Sequence, residues 1–242
     1  MAPISKAQIK LIRSLQHKKY RDELGLFVAE GQKCVEELKK GFELVLEVTP
    51  GNATETEIAQ MSGLKTPQGV IAVFKKRPET DNKRQTTDLT LALDGIQDPG
   101  NLGTIIRTCD WFGVRQIVCS KDTADCYNPK VVQATMGALT RVNLTYTDLP
   151  EWLAEQTCPI YGTLLEGKNM YQVLKEHPVT DNRSPLTVIV MGNEGNGISQ
   201  EVRKVITHPI LIPSYPSDSE TSESLNVAIA TAIVLAEFRR LG

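Results

Sequence analysis

Asn101, Gly103 and Arg107 come just after the turn Asp98-Pro99-Gly100, which itself follows the apolar run Leu91-Ala92-Leu93. A carboxamide, a cation and the free N–H groups of a helix start make a set suited to an electron-rich ligand. Gly192-Asn193-Glu194-Gly195-Asn196-Gly197 follows a second apolar run, Val188-Ile189-Val190-Met191. Glu223-Ser224-Leu225-Asn226-Val227 comes after a third, Ile210-Leu211-Ile212-Pro213. Three loops that each succeed a buried-strand pattern thus carry Asn, Gly, Glu, Ser and Arg where bulky apolar residues would be ordinary. Glycine backbone approaches a ligand closely because no Cβ intrudes. Any one such loop is equally an ordinary strand–helix turn, and Asn101 stands where a helix N-cap belongs.

The elements that must hold these loops follow from periodicity. Strands are predicted near 89–93, 116–119, 160–165, 186–191 and 208–212, alternating with helices near 102–112, 129–138, 150–156, 199–206 and 224–240. That alternation specifies a mostly parallel sheet with helices on both faces, whose ligands gather beyond the carboxyl ends of the strands. All three loops lie at those ends. Ahead of them, helices at 6–16, 32–40 and 55–61 and strands at 26–29, 43–48 and 70–74 predict a smaller α/β domain. The polar stretch 77–88 reads as a linker, giving domains at 1–76 and 89–242.

In this order and spacing the loops resemble the motifs of the SpoU (TrmH-like) RNA ribose 2′-O-methyltransferases of the SPOUT superfamily. N-x-G-x-x-x-R is met by Asn101, Gly103 and Arg107, G-N-E-G-x-G by Gly192 to Gly197, and S-L-N-V by Ser224 to Val227. Thr135-Met136-Gly137-Ala138 is similar to the family's small-residue segment. Phe27-Val28-Ala29-Glu30-Gly31 and Thr66-Pro67-Gln68-Gly69-Val70 are similar to the ribosomal-protein-like sandwich that binds RNA ahead of such catalytic domains. The resemblance implies a SPOUT-type fold with a trefoil knot near the C-terminus, S-adenosylmethionine as cofactor, and structured RNA as substrate, ribosomal in preference to transfer RNA. It implies a cofactor pocket of Leu165, Gly192, Ile212 and Leu225. Around the reacting hydroxyl it places Asn101, Arg107, Glu194, Ser224 and Asn226. A guanidinium holds its proton too firmly to act as a base, so Arg107 suits gripping a phosphate. Proton loss then falls to whichever acceptor lies closest, Glu194 or a water, and Glu194 is equally read as a carboxylate that only organises its loop.

Between Leu225 and Phe238 the last helix is apolar on nearly every side, which requires burial on several faces. Part of it is therefore expected against a second subunit, as the family's dimers also imply. Net charge is −2 over 242 residues, unlike a nonspecific nucleic-acid binder. Residues 1–21 nevertheless hold Lys6, Lys10, Arg13, Lys18, Lys19 and Arg21 and no acid. Lys6, Lys10, Arg13 and His17 line one helix side, either a solvated face or a phosphate-tracking stripe.

No run approaches the roughly 20 apolar residues that span a bilayer, and the N-terminus lacks a secretory apolar core. Five cysteines without a C-x-x-C pair argue against disulfides or zinc, and a reducing cytoplasm is expected. His17, His177 and His208 fall outside the loops, so no metal is expected. Tyr127 either stacks on a base or packs in a core. The acidic loop 214–223 is longer than the family's pattern and would repel phosphate. Two other classes compete. A noncatalytic RNA-binding protein of the same fold would not need the polar loop residues intact. A Rossmann oxidoreductase needs G-x-G-x-x-G in its first strand–helix turn, which is missing.

Overall fold

The computed structural model describes residues 3–78, 88–176, 186–216, 222 and 224–240. They fall into two compact units, one drawn from Met1–Asp81 and Asp125–Arg141, the other from Asn82–Ala124 and Val142–Gly242. The first begins with α1 (Lys6–Ser14), α2 (Lys18–Leu24), β1 (Leu26–Glu30), α3 (Gln32–Leu38), β2 (Leu44–Val48), α4 (Glu55–Met61) and β3 (Ile71–Lys75). The chain continues into the second unit with β4 (Leu89–Asp94), α5 (Pro99–Trp111) and β5 (Gln116–Ser120). Helix α6 (Pro129–Thr135) belongs to the first unit. The second resumes with β6 (Asn143–Thr147), α7 (Leu149–Ala154), β7 (Ile160–Asn169), α8 (Met170–Glu176), β8 (Thr187–Gly192), α9 (Gln200–Arg203), β9 (His208–Leu211) and α10 (Val227–Arg240).

In the first unit β3 pairs antiparallel with both β1 and β2. Ile12 and Leu15 from the α1 end, Ile58 and Met61 of α4, and Val28, Ile71 and Val73 of the sheet close one core. A capping box of Ser5 and Gln8 starts α1. Helix α2 was not expected: Lys18–Leu24 has no apolar stripe, and it buries only Arg21. That arginine is 1% exposed, yet every nitrogen of its guanidinium has a partner. Nε and Nη2 donate to Asp125 at 3.1 and 2.8 Å, and Nη1 donates to the carbonyls of Leu15 and Gln16. Tyr127 packs 4.8 Å from the Phe27 ring and also against Phe42, so it is a core ring and not a stacking platform. Helix α6 stops at Thr135, three residues before the predicted end, because Met136 and Gly137 turn left-handed. A Cβ on Gly137 would stand 2.3 Å from Glu37 Cβ.

The second unit is a six-stranded sheet in the order β6-β5-β4-β8-β7-β9, parallel throughout. Every residue of β4 is buried, as is all of β8 except Gly192, and this burial on both faces is why they read as continuous apolar runs. Strand β6 escaped the pattern because Asn-Leu-Thr-Tyr-Thr is an edge strand of intermediate burial. Helix α8 escaped because its apolar positions, Met170, Val173 and Leu174, span little more than one turn. The sheet order reverses beside β4, where Asp94 at its end pairs with Gly192 at the end of β8. Such a reversal opens a crevice at the carboxyl ends. Helix α10 packs along α5, and Arg239 locks its far end by donating to Phe112 O and pairing with Asp88. That guanidinium holds the Asp88 carboxyl below its usual range.

Among the described residues no helix is long and apolar enough to cross a membrane, and no three metal-ligating side chains cluster. His177, residues 79–87 of the linker and residues 217–221 and 223 of the acidic loop lie outside the described residues.

Removing one partner of a buried ion pair leaves the other charge uncompensated, at a cost of about 3–5 kcal/mol. Asp125→Ala is expected to lower unfolding free energy by that order in urea melts. An exposed pair such as Lys18–Asp22 should contribute less than about 1 kcal/mol in the same measurement.

Candidate active site

Two helix starts and one glycine-rich loop meet beyond the ends of β4 and β8. The expected N-cap at Asn101 is corrected: Asp98 is the cap, its carboxylate accepting the Asn101 backbone N–H at 2.8 Å, and Pro99 opens the helix. Asn101 thus lies in the first turn of α5 with its carboxamide free of capping duty. At the other helix the cap is Asn226. Its Oδ1 accepts the N–H groups of Ala228 and Ile229 at 3.0 and 3.3 Å, so α10 starts at Val227 and not at Ser224.

Glu194 joins the two. Its Oε1 accepts from Asn101 Nδ2 at 2.5 Å and from Asn226 Nδ2 at 2.7 Å, and Asn226 Nδ2 also reaches Asn101 Oδ1 at 3.0 Å. The Val227 N–H points at the same Glu194 oxygen at 3.5 Å. Oε2 accepts nothing among the described residues, so one carboxylate oxygen is held while the other is uncommitted. Charge-assisted bonds of this kind are about twice as strong as neutral ones.

The glycine loop is folded tightly beneath Glu194. Asn193 and Gly197 exchange backbone hydrogen bonds at 3.0 and 2.9 Å. A Cβ on Gly192 would stand 2.4 Å from Gly197 C and Ile198 N, which only glycine avoids. Asp94 Oδ2 accepts the Ser199 N–H at 2.7 Å and seats the next helix. Ser199 precedes that helix without a side-chain cap hydrogen bond, and the predicted helix 199–206 shortens to α9.

The remaining expected residues divide. Gly192 ends β8, Leu165 sits in β7, Ile212 follows β9, and Leu225 precedes α10, so the first three belong to or directly follow adjacent parallel strands. Both Thr163 and Lys168 register against Ile210, so residues 164–167 loop out of the β7–β9 pairing and lift Leu165 to 70% exposure. Leu225 is 48% exposed. Exposed leucines at the strand ends offer apolar surface that a ligand could cover. Ser224 is exposed without a hydrogen bond among the described residues. Arg107 is exposed and has no ion pair or hydrogen bond among the described residues. Six residues along α5 from Asn101, it lies roughly 9 Å further on and about 120° around the axis, outside the Asn–Glu–Asn cluster. Sequence reasoning did not anticipate Asp98 as the cap, nor a role for Asn193 within the glycine loop. The Asp-Pro-Gly spacing could have pointed to Asp98, since Pro favours the first helical position.

A parallel sheet with a polar cluster at its switch point, glycine loops and a helix-capping carboxamide defines the class of α/β enzymes that bind a cofactor across strand ends. Residues 88–236 match the SpoU rRNA methylase family, and residues 6–49 match the MRM3-like substrate binding domain. The chain belongs to the SpoU family. It is similar to the 23S rRNA (guanosine(2553)-2'-O)-methyltransferase RlmP of Bacillus subtilis, 29% identical with 96% of each chain covered. It is also similar to the 23S rRNA (guanosine-2'-O-)-methyltransferase RlmB of Coxiella burnetii, 32% identical over 77% of this chain and 75% of that one. Among solved structures, a TrmH-family protein from Porphyromonas gingivalis superposes with TM-score 0.85, 38% identity and full coverage of both chains. An AdoMet-bound rRNA methyltransferase from Sinorhizobium meliloti gives TM-score 0.83 at 31% identity, covering 99% of this chain and 97% of that one.

Asn226→Asp keeps the cap acceptor but replaces the Nδ2 donor with a second carboxylate beside Glu194. Its melting temperature is expected within a few degrees of the parent, whereas Asn226→Ala should lose about 1 kcal/mol of stability. Both variants should lose roughly a hundredfold or more in methyl transfer, read by tritium incorporation.

Proposed function

We propose that this protein transfers the methyl group of S-adenosylmethionine to a ribose 2′-hydroxyl of ribosomal RNA. The Asn101–Glu194–Asn226 cluster at the switch point carries the reading. Leu165, Gly192, Ile212 and Leu225 would hold the cofactor, the leucines flanking the adenine and the strand-end backbone meeting its polar edge. When bound, the cofactor supplies an electrophilic methyl on a sulfonium.

The chain's residues do the rest. The two carboxamides fix Glu194 through Oε1, so Oε2 is aimed and available to accept the 2′-hydroxyl proton, directly or through one water. Arg107 cannot share that task because a guanidinium remains protonated. Its unpaired fork instead grips a phosphate flanking the target ribose, with Ser224 as a further polar contact. Holding the sugar oxygen in line is worth more than proton removal alone, since effective molarities reach about 10⁵ M or more in well-oriented reactions. A noncatalytic RNA-binding role has no use for an aimed carboxylate, so the enzymatic reading stands.

Residues 1–76 are the RNA-binding domain in this reading. Lys6, Lys10, Arg13 and Lys19 are exposed and lack ion-pair partners among the described residues. Other nearby cations are engaged: Lys18 with Asp22, Lys39 with Glu36 and Glu47, and Lys40 with Glu37. Lys6, Lys10 and Arg13 form a stripe on α1 that suits tracking a phosphate backbone. The protein works as a cytoplasmic homodimer through α10, which buries Val234, Leu235 and Phe238 yet leaves Ile229 54% exposed. Trefoil threading near the C-terminus completes the family architecture.

The direct test is a map of ribose methylation in ribosomal RNA from cells with and without this gene, one 2′-O-methyl mark being lost. With purified enzyme, Arg107→Lys should lower turnover at least about tenfold, because a point charge cannot replace the bidentate fork. Replacing Lys6, Lys10 and Arg13 with Ala should weaken RNA binding and reduce the log–log salt slope by about two. An unchanged slope would leave the stripe a solvated face.

A further inference from the structure

We propose that Asn193 is a positioning residue for the reaction: it fastens the Glu194 loop to the end of β4 and so sets where the aimed carboxylate stands. This rests on the assignment of Glu194 above. Both polar atoms of the Asn193 side chain are in use. Oδ1 accepts the N–H groups of Gly195 and Asn196 at 2.8 and 3.1 Å, folding the loop over itself. Nδ2 donates to the Gly95 carbonyl at 2.6 Å, across to the neighbouring strand end.

Gly95 is itself fixed. Its N–H donates to Ser120 Oγ at 2.8 Å, and Ser120 in turn donates to Asp122 at 2.6 Å and contacts Thr123. Gly95 sits at φ +70°, and a Cβ there would stand 3.2 Å from Asp122 Oδ2 and 3.8 Å from Asn193 Cβ. A continuous line of hydrogen bonds therefore runs from the end of β5 through Gly95 to Asn193, one peptide from Glu194. The carboxylate is caught between two constraints, the carboxamides of Asn101 and Asn226 above and this line below. Only a side chain with both an acceptor and a donor at that length does both jobs. Aspartate keeps the loop's acceptor but turns an oxygen towards the Gly95 carbonyl, while serine is too short to reach it.

The test is a double-mutant cycle on turnover, combining Asn193→Asp with Glu194→Gln, at saturating RNA and S-adenosylmethionine. Asn193→Asp alone is expected to lower kcat roughly thirtyfold to a hundredfold, in line with an ångström-scale displacement of a reacting group. Its affinity for S-adenosylmethionine by calorimetry should stay within about threefold. In the Glu194→Gln background the same change should cost less than about twofold, because its effect passes through the carboxylate. Equal losses in both backgrounds would overturn the proposal, as would a loss confined to cofactor affinity or an unaffected kcat. If Glu194→Gln retains parental turnover, the carboxylate assignment fails on its own. Should Asn193→Asp not fold, Asn193→Ser enters the same cycle with the same criteria.

Discussion

Oxygen Oε1 of Glu194 receives carboxamide hydrogens from Asn101 and Asn226, residues 93 and 32 positions away in the chain. Both donors sit at the amino ends of helices, Asn101 in the first turn of α5 and Asn226 at the cap of α10. Aligned peptide dipoles make those ends partially positive, an effect worth typically 0.3–1 kcal/mol for a nearby anion. The carboxylate therefore sits where two helix fields and two side-chain donors coincide. This arrangement requires α5 and α10 to start at the same edge of the sheet, and the β4–β8 pairing that ends in Asp94 and Gly192 supplies that geometry.

Asn226 shows how economical the arrangement is. One carboxamide caps a 14-residue helix through its oxygen and orients a carboxylate through its nitrogen. Asp or Ser would serve the cap nearly as well. The nitrogen is what the site adds to the requirement, which explains an asparagine where capping chemistry alone would be permissive. Asn193 is under a similar double demand, from its own loop and from the neighbouring strand.

The contrast between rigid and exposed parts follows the same logic. Gly192 and Gly167 lie so close to other backbone, at 2.4 Å from Gly197 C and 2.5 Å from Ile210 C for an added Cβ, that the strand ends cannot shift without cost. Leu165 and Leu225 stand proud of the same edge. A firm backbone cradle with apolar side chains at its rim lets a ligand bury surface without rearranging the sheet. In the first unit charge is divided as well: Arg21 is buried and fully bonded, while Lys6, Lys10 and Arg13 on α1 have no ion pair among the described residues.

The three polar loops and their order were legible in the sequence, because buried parallel strands write continuous apolar runs and their polar, glycine-bearing loops stand out against them. The same contrast located five of the six strands of the large sheet. It failed for β6, whose edge position asks for no apolar run, and for α2 and α8, whose buried positions are too few to show a period. It also misjudged Asn101, since a capping residue and a site residue look alike three positions apart. What tertiary structure alone decided was the convergence. No spacing in the chain states that Glu194 lies between Asn101 and Asn226, that Arg107 stands apart from them, or that Gly95 anchors Asn193. Those facts depend on which strands become neighbours, and strand order is settled by long-range pairing and packing rather than by any local pattern.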